Sequence, residues 1–492
     1  VLALTTKQVL ISLMAAVWVG ATLINDYNPI TGLYSAFGDY VFPALGNPDN
    51  AAVVVMVVFC GSLSYLMETG GGAKVFAETL AKKIRGRKGA QVLTAAGGTA
   101  IFFSDSTNPV LIGPVFKPLS DKMKVSREKL AYIVDATSAT MPSMFFFILN
   151  ILQQQLEIIG VEKNGIIAFN EAVPFMFYTI GAVIFVYFIA VTGFDYGPMM
   201  KAEKRAQEEG KLVADGDATE KLLRTVEIPE GATPKLSSML VPIAVLVIVI
   251  FAGLLWTGGF PKVGIGEAMA NAASTKSLVV AFFVASIVAA CYTIKDKVYT
   301  VKEAIGAFMT GIGQMMETCC ILVLAWSIGS VCTAVGISIT EGFLTPAMMY
   351  VVLFLVCALT AFCTGTSWGT FAIYLPISVP LAAAIGAPIA PAVGLVVSGG
   401  IFGDHCSPIS DTTVLSSMGS SCNHIAHVST QLPYAVTVAA AAAIAYLFVG
   451  LTAESLGLGV AAVIGIAITV FGSWIFGTVA HKMSHNRLSS EK

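Results

Sequence analysis

Between Gly342 and Gly403 the chain carries no Asp, Glu, Lys, Arg or His. At ~20 residues per apolar crossing, that run is about three membrane thicknesses long. No soluble core absorbs so much uncharged sequence, and the rest of the chain agrees. Soluble proteins carry roughly 25% charged residues. Here only 12% are charged and 56% are hydrophobic, with mean hydropathy +0.80. Soluble enzymes, coiled coils and disordered proteins are therefore excluded, and a polytopic all-α membrane protein remains. Twenty-eight Lys and Arg against 30 Asp and Glu leave no electrostatic footprint for nucleic acid. The nine Cys lie mostly in apolar segments without regular spacing and read as small buried residues, not a disulfide framework.

Apolar runs locate the spans, and Lys and Arg decide which loops face the cytoplasm. Val9–Ile24 reads as a first membrane helix and not a signal peptide, because only Lys7 precedes it and no small-residue cleavage pattern follows. The next loop, Asp26–Asn50, has no Lys or Arg and is expected outside. Ala51–Met67 returns to Lys82, Lys83, Arg85, Arg87 and Lys88, which mark the inside. Residues 89–116 are nearly uncharged, yet Lys117, Lys122, Lys124, Arg127 and Lys129 follow. A single crossing would place one basic cluster outside. A re-entrant hairpin over 89–117 with its tip at Ser104–Asn108 satisfies the bias instead.

Leu130–Leu152 then crosses with Asp135 and Pro142 inside it and is expected to break, and Pro174–Phe194 crosses back. Residues 195–237 mix both signs of charge and are expected to be a solvated cytoplasmic linker. A connecting span follows at 238–256, and Ser277–Ile294 and Thr318–Val335 cross next. Within the charge-free run the polar stretch 364–370 is expected at the tip of an outside-facing hairpin, 346–387, followed by a broken helix over 389–415. Pro433–Leu451 and Val460–Thr478 place both termini inside.

Two segments repeat. Pro114-Val115-Phe116-Lys117-Pro118-Leu119 matches Pro376-Ile377-Ser378-Val379-Pro380-Leu381, and Asp135-Ala136-Thr137-Ser138 matches Asp404-His405-Cys406-Ser407. Hairpin then broken helix, repeated with opposite orientation, is the signature of a secondary transporter with its site at the midplane. The expected fold is thus two inverted repeats, 1–194 and 277–452, with a C-terminal span and tail at 453–492, about ten spans and two hairpins in all.

An Asp within a span costs on the order of +2.5–3.5 kcal/mol on insertion scales, so each needs a partner or a purpose. Asp105, Asp135, Asp404 and Asp411 sit beside expected breaks among Ser, Thr, Asn and Gly. Hard cations such as Na⁺ take carboxylate, hydroxyl, amide and unwound carbonyl oxygens. The candidate binding residues are Ser104, Asp105, Ser106, Thr107 and Asn108 in the first tip, then Asp135, Thr137 and Ser138. The second repeat adds Thr364, Gly365, Thr366, Ser367, Trp368 and Thr370, then Asp404, Ser407 and Asp411. Among them Asp105, Asn108, Asp135, Thr366, Ser367 and Asp404 are the Na⁺ candidates. Burial raises a carboxylate's pKa and a bound cation lowers it, so a carboxylate of this kind can trade a proton for Na⁺. The competing reading of each Asp is a helix cap. Glu68 and Glu317 read as interfacial residues, Trp368 as a cavity wall or a packing residue. His405, Cys406, Cys422, His424 and His427 lack the second ligand pair of a zinc site. No nucleophile, zincin or Walker motif is present, and no cofactor is expected.

The block Gly403-Asp404-His405-Cys406-Ser407-Pro408-Ile409-Ser410-Asp411-Thr412-Thr413 resembles the NhaC-type sodium/proton antiporter family. Gly365-Thr366-Ser367-Trp368-Gly369-Thr370 and Thr430-Gln431-Leu432-Pro433-Tyr434 match its other recurrent blocks. The resemblance extends over most of the chain. It implies the fold of the ion-transporter superfamily, Na⁺ and H⁺ as transported ions, a bacterial inner-membrane location and homodimers. It leaves open a small organic solute, an amino acid or a carboxylate such as malate or lactate, coupled to Na⁺.

Overall fold

The computed structural model describes residues 9–72, 74–75, 79, 86–102, 105, 107–144, 149–161, 163–214, 231–265, 268, 271–335 and 345–490. Every regular element among them is helical. Ten of the described helices are long and apolar enough to cross a membrane, or eleven if one bent pair counts as a span. That pair opens the chain. α1 (Val9–Ile24) turns through Asp26 and Tyr27, both at positive φ. Asn28 then caps a second segment bent by 116°. The stretch expected as an outside loop is therefore largely helical over residues 29–46, with Ile30, Tyr34, Phe42 and Leu45 exposed. Its apolar side chains favour staying in the membrane region over an extended loop.

α2 (Pro48–Thr69) leads to a hairpin of α3 (Arg87–Ala100) and α4 (Thr107–Lys122). The tip lies where Thr, Asn and Pro replace apolar residues, and Asn108 closes it by donating to Gly98 O at 2.7 Å. α5 (Arg127–Ser138) packs on both legs, and after a short helical turn α6 (Leu149–Ile158) continues. α7 (Phe177–Thr192) and α8 (Gly197–Lys204) end this half. α9 (Ser237–Thr257), α10 (Ser274–Lys295), α11 (Val301–Gln314) and α12 (Met316–Val335) lead to the second half.

There α13 (Pro346–Thr364) and α14 (Ser367–Ala384) form a second hairpin, its Gly365 at φ +72° and Thr366 capping α14. Both legs are of spanning length. α15 (Ile389–Cys406) packs against both legs as α5 does against its own. Four non-helical residues, Ser407–Ser410, separate it from α16 (Asp411–Gly419). Two long helices, α17 (His424–Leu456) and α18 (Leu458–Ser490), complete the chain.

The two repeats interlock. α16, the second half of one broken helix, lies on α4 of the opposite hairpin, and α6 reciprocally lies on α14. Glycine permits the first contact: a Cβ on Gly113 would stand 2.6 Å from the Gly419 carbonyl carbon, and one on Gly419 2.4 Å from Pro109 O. The residues expected as a solvated linker begin differently. Residues 197–209 are helical, with Met199, Met200 and Glu203 buried. Glu203 pairs with Arg87, and Arg205 Nη2 holds both Glu128 oxygens at 2.7 and 2.9 Å. Opposite charges on the two sides of the joint keep it folded.

Candidate functional site

Asp135 sits on the last turn of α5 and Asp404 on the last turn of α15, each next to the break in its repeat. Both are buried, at 0% and 3% exposure. α16 ties them together through consecutive residues. Thr412 Oγ1 donates to Asp404 Oδ2 at 3.3 Å, and Thr413 Oγ1 donates to Asp135 Oδ2 at 3.0 Å. Asp135 also accepts from Ser416 Oγ at 3.4 Å and from Gln431 Nε2 at 2.6 Å. The other Gln431 amide hydrogen goes to His405 O, which fixes the orientation of that amide. His427 Nε2 lies 3.8 Å from Asp135 Oδ2. Asp404 is within electrostatic reach of both Asp135 and Asp105. Among the described residues no Lys or Arg pairs with Asp135 or Asp404. Two buried carboxylates with no fixed cation need a mobile one, a proton or a metal ion.

The hairpin tips close on this centre. Ser407 Oγ donates to Phe362 O at 2.7 Å, and a Cβ on Gly365 would meet Ile409 O at 2.6 Å, so the second tip docks on the α15–α16 break. The first tip docks on α5, where a Cβ on Gly98 would overlap Thr137 Oγ1. The tips also meet each other, Trp368 Nε1 donating to Asp105 Oδ2 at 2.7 Å. Trp368 thus does more than wall a cavity, and Asp105 receives a donor from the opposite repeat.

The remaining expected residues distribute as follows. Ser104 and Ser106 lie outside the described residues, and Thr107 begins α4. Asn108 is buried, and its Oδ1 has no hydrogen-bond partner among the described residues. Thr137 and Ser138 bond back to carbonyls of their own helix, as do Thr364 and Thr370. Thr366 accepts from Gly369 N, and Ser367 is buried in the first turn of α14. Asp411 opens α16 and is exposed, where a negative charge complements the helix N-terminus.

Several site residues escaped the sequence reading. Thr412, Thr413, Ser416 and Gln431 supply the donors; Thr412 and Thr413 had a signal through the Gly403–Thr413 block and Gln431 through the Thr430–Tyr434 block, while Ser416 had none. His405 stacks on Tyr132 and its Nδ1 meets Tyr178 OH at 2.8 Å, while its Nε2 has no partner among the described residues. Lys129, grouped with the basic loop, is fully buried and pairs with Asp195, which also accepts from Tyr434 OH at 2.6 Å.

Two hairpins, two broken helices and a pair of carboxylates between them define a secondary transporter. The family model described as "Na+/H+ antiporter family" matches residues 141–451, and this chain belongs to that family. A relative from Haemophilus influenzae, described as an uncharacterized protein, is 33% identical over 96% of this chain and 93% of its own length. The malate-2H(+)/Na(+)-lactate antiporter of Bacillus subtilis is 30% identical over 31% of this chain and 34% of its own. Two solved transporters share the fold at TM-score 0.56. YdaH of Alcanivorax borkumensis is 13% identical over 86% of this chain and 89% of its own. MtrF of Neisseria gonorrhoeae is 18% identical over 87% and 85%.

Proposed function

We propose that this chain exchanges Na⁺ for H⁺ by alternating access, with the cation held at Asp404 and the proton carried by Asp135. One observation carries the reading: each repeat contributes one buried carboxylate, adjacent hydroxyls of α16 hold the two, and no described Lys or Arg neutralises either. The environments favour that division. Asp135 is surrounded by donor groups, Thr413, Ser416 and Gln431, which suit a carboxylate that is alternately charged and protonated. Asp404 stands beside an unwound segment with the Ser410 and Thr412 hydroxyls 3.0 Å apart, the oxygen-rich setting a hard cation needs. Movement of the hairpin tips off the two breaks would open the site to one side at a time. The Lys and Arg bias supports a cytoplasmic position for Lys117, Arg127 and both termini, and the reading takes the membrane to be a bacterial inner membrane.

Proteoliposomes test this. An imposed Na⁺ gradient should drive H⁺ movement, and Asp135→Asn or Asp404→Asn should each abolish it while leaving a folded, monodisperse protein. Wild-type vesicles that fail to couple Na⁺ to H⁺ refute the reading.

A second reading, exchange of a small organic acid or amino acid coupled to Na⁺, draws on Gln155. Its side chain is buried on α6, against the second hairpin, and neither amide atom has a hydrogen-bond partner among the described residues. The segmental similarity to a malate/lactate antiporter points the same way. Stabilisation by malate, lactate or arginine, lost in Gln155→Leu, would favour this reading over simple ion exchange.

A further inference from the structure

A chain of three polar side chains runs from the α16–α17 turn to Asp135. His424 Nε2 lies 2.6 Å from Pro408 O, and His424 Nδ1 lies 3.0 Å from Ser417 Oγ. The same hydroxyl lies 2.8 Å from His427 Nδ1. His427 Nε2 is 2.9 Å from Gln431 Oε1 and 3.8 Å from Asp135 Oδ2. His424 is partly exposed, whereas Ser417 and His427 are buried.

The Ser417 hydroxyl carries one hydrogen and has three acceptors in reach, since besides the two rings it meets Thr413 O at 2.7 Å. Both ends are acceptors, the Pro408 carbonyl and the Gln431 amide oxygen, because both Gln431 hydrogens are committed to Asp135 and His405 O. With that hydrogen turned from Thr413 O toward a ring, the four links of the chain need four hydrogens. Neutral His424, Ser417 and His427 supply one each. The set is complete only with one excess proton, and that proton has two equivalent bonding patterns. On His424, Nδ1–H donates to Ser417, whose hydroxyl donates to His427 Nδ1. On His427, the two donations reverse. Passing from one to the other needs only that Ser417 accept one hydrogen and release another.

We infer that His424, Ser417 and His427 form a proton relay between the surface at the α16–α17 turn and Asp135, an inference that rests on the exchange reading above. In the last step Asp135 Oδ2 closes from 3.8 Å to hydrogen-bond distance and takes the Nε2 hydrogen of cationic His427 from its bond to Gln431 Oε1. The ring keeps its Nδ1 hydrogen and becomes neutral, the carboxylate becomes the acid, and the chain has lost its excess proton. Reversal unloads Asp135. The groups facing His427 are Asp135 from α5, Ser417 from α16, and His424 and Gln431 from α17, with His405 of α15 beyond Gln431. Around the entrance, Lys117 Nζ reaches Ser421 Oγ at 3.0 Å and Arg127 Nη1 reaches Ser421 O at 3.3 Å, with Asp121 paired to Arg127. Those are the basic residues whose bias marks the cytoplasm, so the relay serves that face of the membrane.

Proteoliposomes separate the relay from the ion site. Na⁺-driven H⁺ movement needs a proton path, whereas ²²Na⁺/Na⁺ exchange needs only the cation site. His424→Ala and the milder Ser417→Ala should slow the proton-coupled mode by about 10²-fold, the typical contribution of a positioned proton-transfer group. Both should leave ²²Na⁺/Na⁺ exchange within about twofold, since neither residue touches Asp404. Free imidazole should restore His424→Ala, and wild-type Na⁺/H⁺ exchange should slow in D₂O while Na⁺/Na⁺ exchange does not. Parallel loss of both modes, or no loss in either variant, overturns the relay. Absence of both modes in the wild type would instead refute the exchange reading on which it rests.

Discussion

Lys129→Met should be among the most destabilising single substitutions in this chain. The ammonium is fully buried and its only ion-pair partner among the described residues is Asp195, whose carboxylate is itself about 8% exposed. Removing the lysine leaves Asp195 charged in a pocket formed by Tyr434, with the 5.5 Å contact between Lys129 Nζ and the Tyr434 ring lost as well. Breaking a buried pair from one side costs about 3–5 kcal/mol. At about 2 °C per kcal/mol, the large-chain end of the usual range, the melting temperature should fall by about 6–10 °C. The double variant Lys129→Met with Asp195→Asn removes both charges and keeps an acceptor for Tyr434 OH. It should recover most of the loss, because a neutral pair of similar volume is close to the ion pair in free energy. The assay is intrinsic fluorescence during a thermal ramp of detergent-purified protein, in a cycle of wild type, both singles and the double. Singles within about 1 kcal/mol of wild type, or a double equal to the sum of the singles, would refute a coupled buried pair. Lys129 lies six residues before Asp135 on the same helix, about 9 Å along its axis. Recovery of stability with loss of Na⁺/H⁺ exchange would mean that the pair also sets the position of the Asp135 carboxylate.

Other substitutions address the tips and the split between the two carboxylates. Gly365→Ala forces a left-handed residue to carry a Cβ 2.6 Å from Ile409 O, and should slow exchange by about tenfold from a backbone cost of about 1–2 kcal/mol and the clash. Gly386→Ala, also at positive φ but with nothing within 4 Å, should lower thermal stability without slowing exchange. Trp368→Phe removes the donor to Asp105, and hydrogen–deuterium exchange should rise in the connection between α3 and α4, as expected for losing about 1.5–3 kcal/mol of charge-assisted bonding. Thr412→Val should raise the half-saturating Na⁺ concentration about tenfold, the loss of one hydroxyl at a charged site. Thr413→Val should leave that concentration within about twofold and slow only the proton-coupled mode.

The architecture was legible because charge placement and polypeptide breaks are one-dimensional. Opposite flanks of the 89–117 segment are both basic, which only a hairpin satisfies, and Gly365 and Ser407–Ser410 interrupt apolar runs in plain view. The two central carboxylates were legible for the same reason, since an Asp in a span is costly wherever it occurs. Their donors were not. Thr and Ser are common in membrane helices and usually bond to their own carbonyls, as Thr137 and Thr364 do, so nothing in the sequence marks Ser416 as an exception, and the Gly403–Thr413 block carries Thr413 without showing which carboxylate its hydroxyl meets. Lys129 was hidden by its neighbours: a lysine among topogenic lysines gives no sign that it is buried. The helical segment after Asp26 was missed because two left-handed residues and a Pro read as a loop, when they mark a sharp bend between two helices.

The adjacency of Thr412 and Thr413 bears on why exchange would be obligatory. The two hydroxyls belong to the first turn of one short helix, and consecutive residues on a helix project in different directions, so each can face a carboxylate from a different repeat. A tilt or rotation of α16 cannot alter one bond without altering the other. The hinge for such a motion is the non-helical segment Ser407–Ser410, and the Phe362–Gly365 tip is seated on it. On the proposed reading, a cation arriving at Asp404 would change the bond to Thr412, shift the first turn of α16, and thereby change the donor that favours the charged form of Asp135. The same helix also carries the link outward, because Ser417 follows Thr413 by one helical turn and its single hydrogen can turn from that carbonyl, 2.7 Å away, to either histidine of the relay. The proposed cation site, proton carrier and relay would thus be joined through nine residues of a single helix. Coupling of this kind needs no long-range pathway, only an element whose two positions both ligands bias.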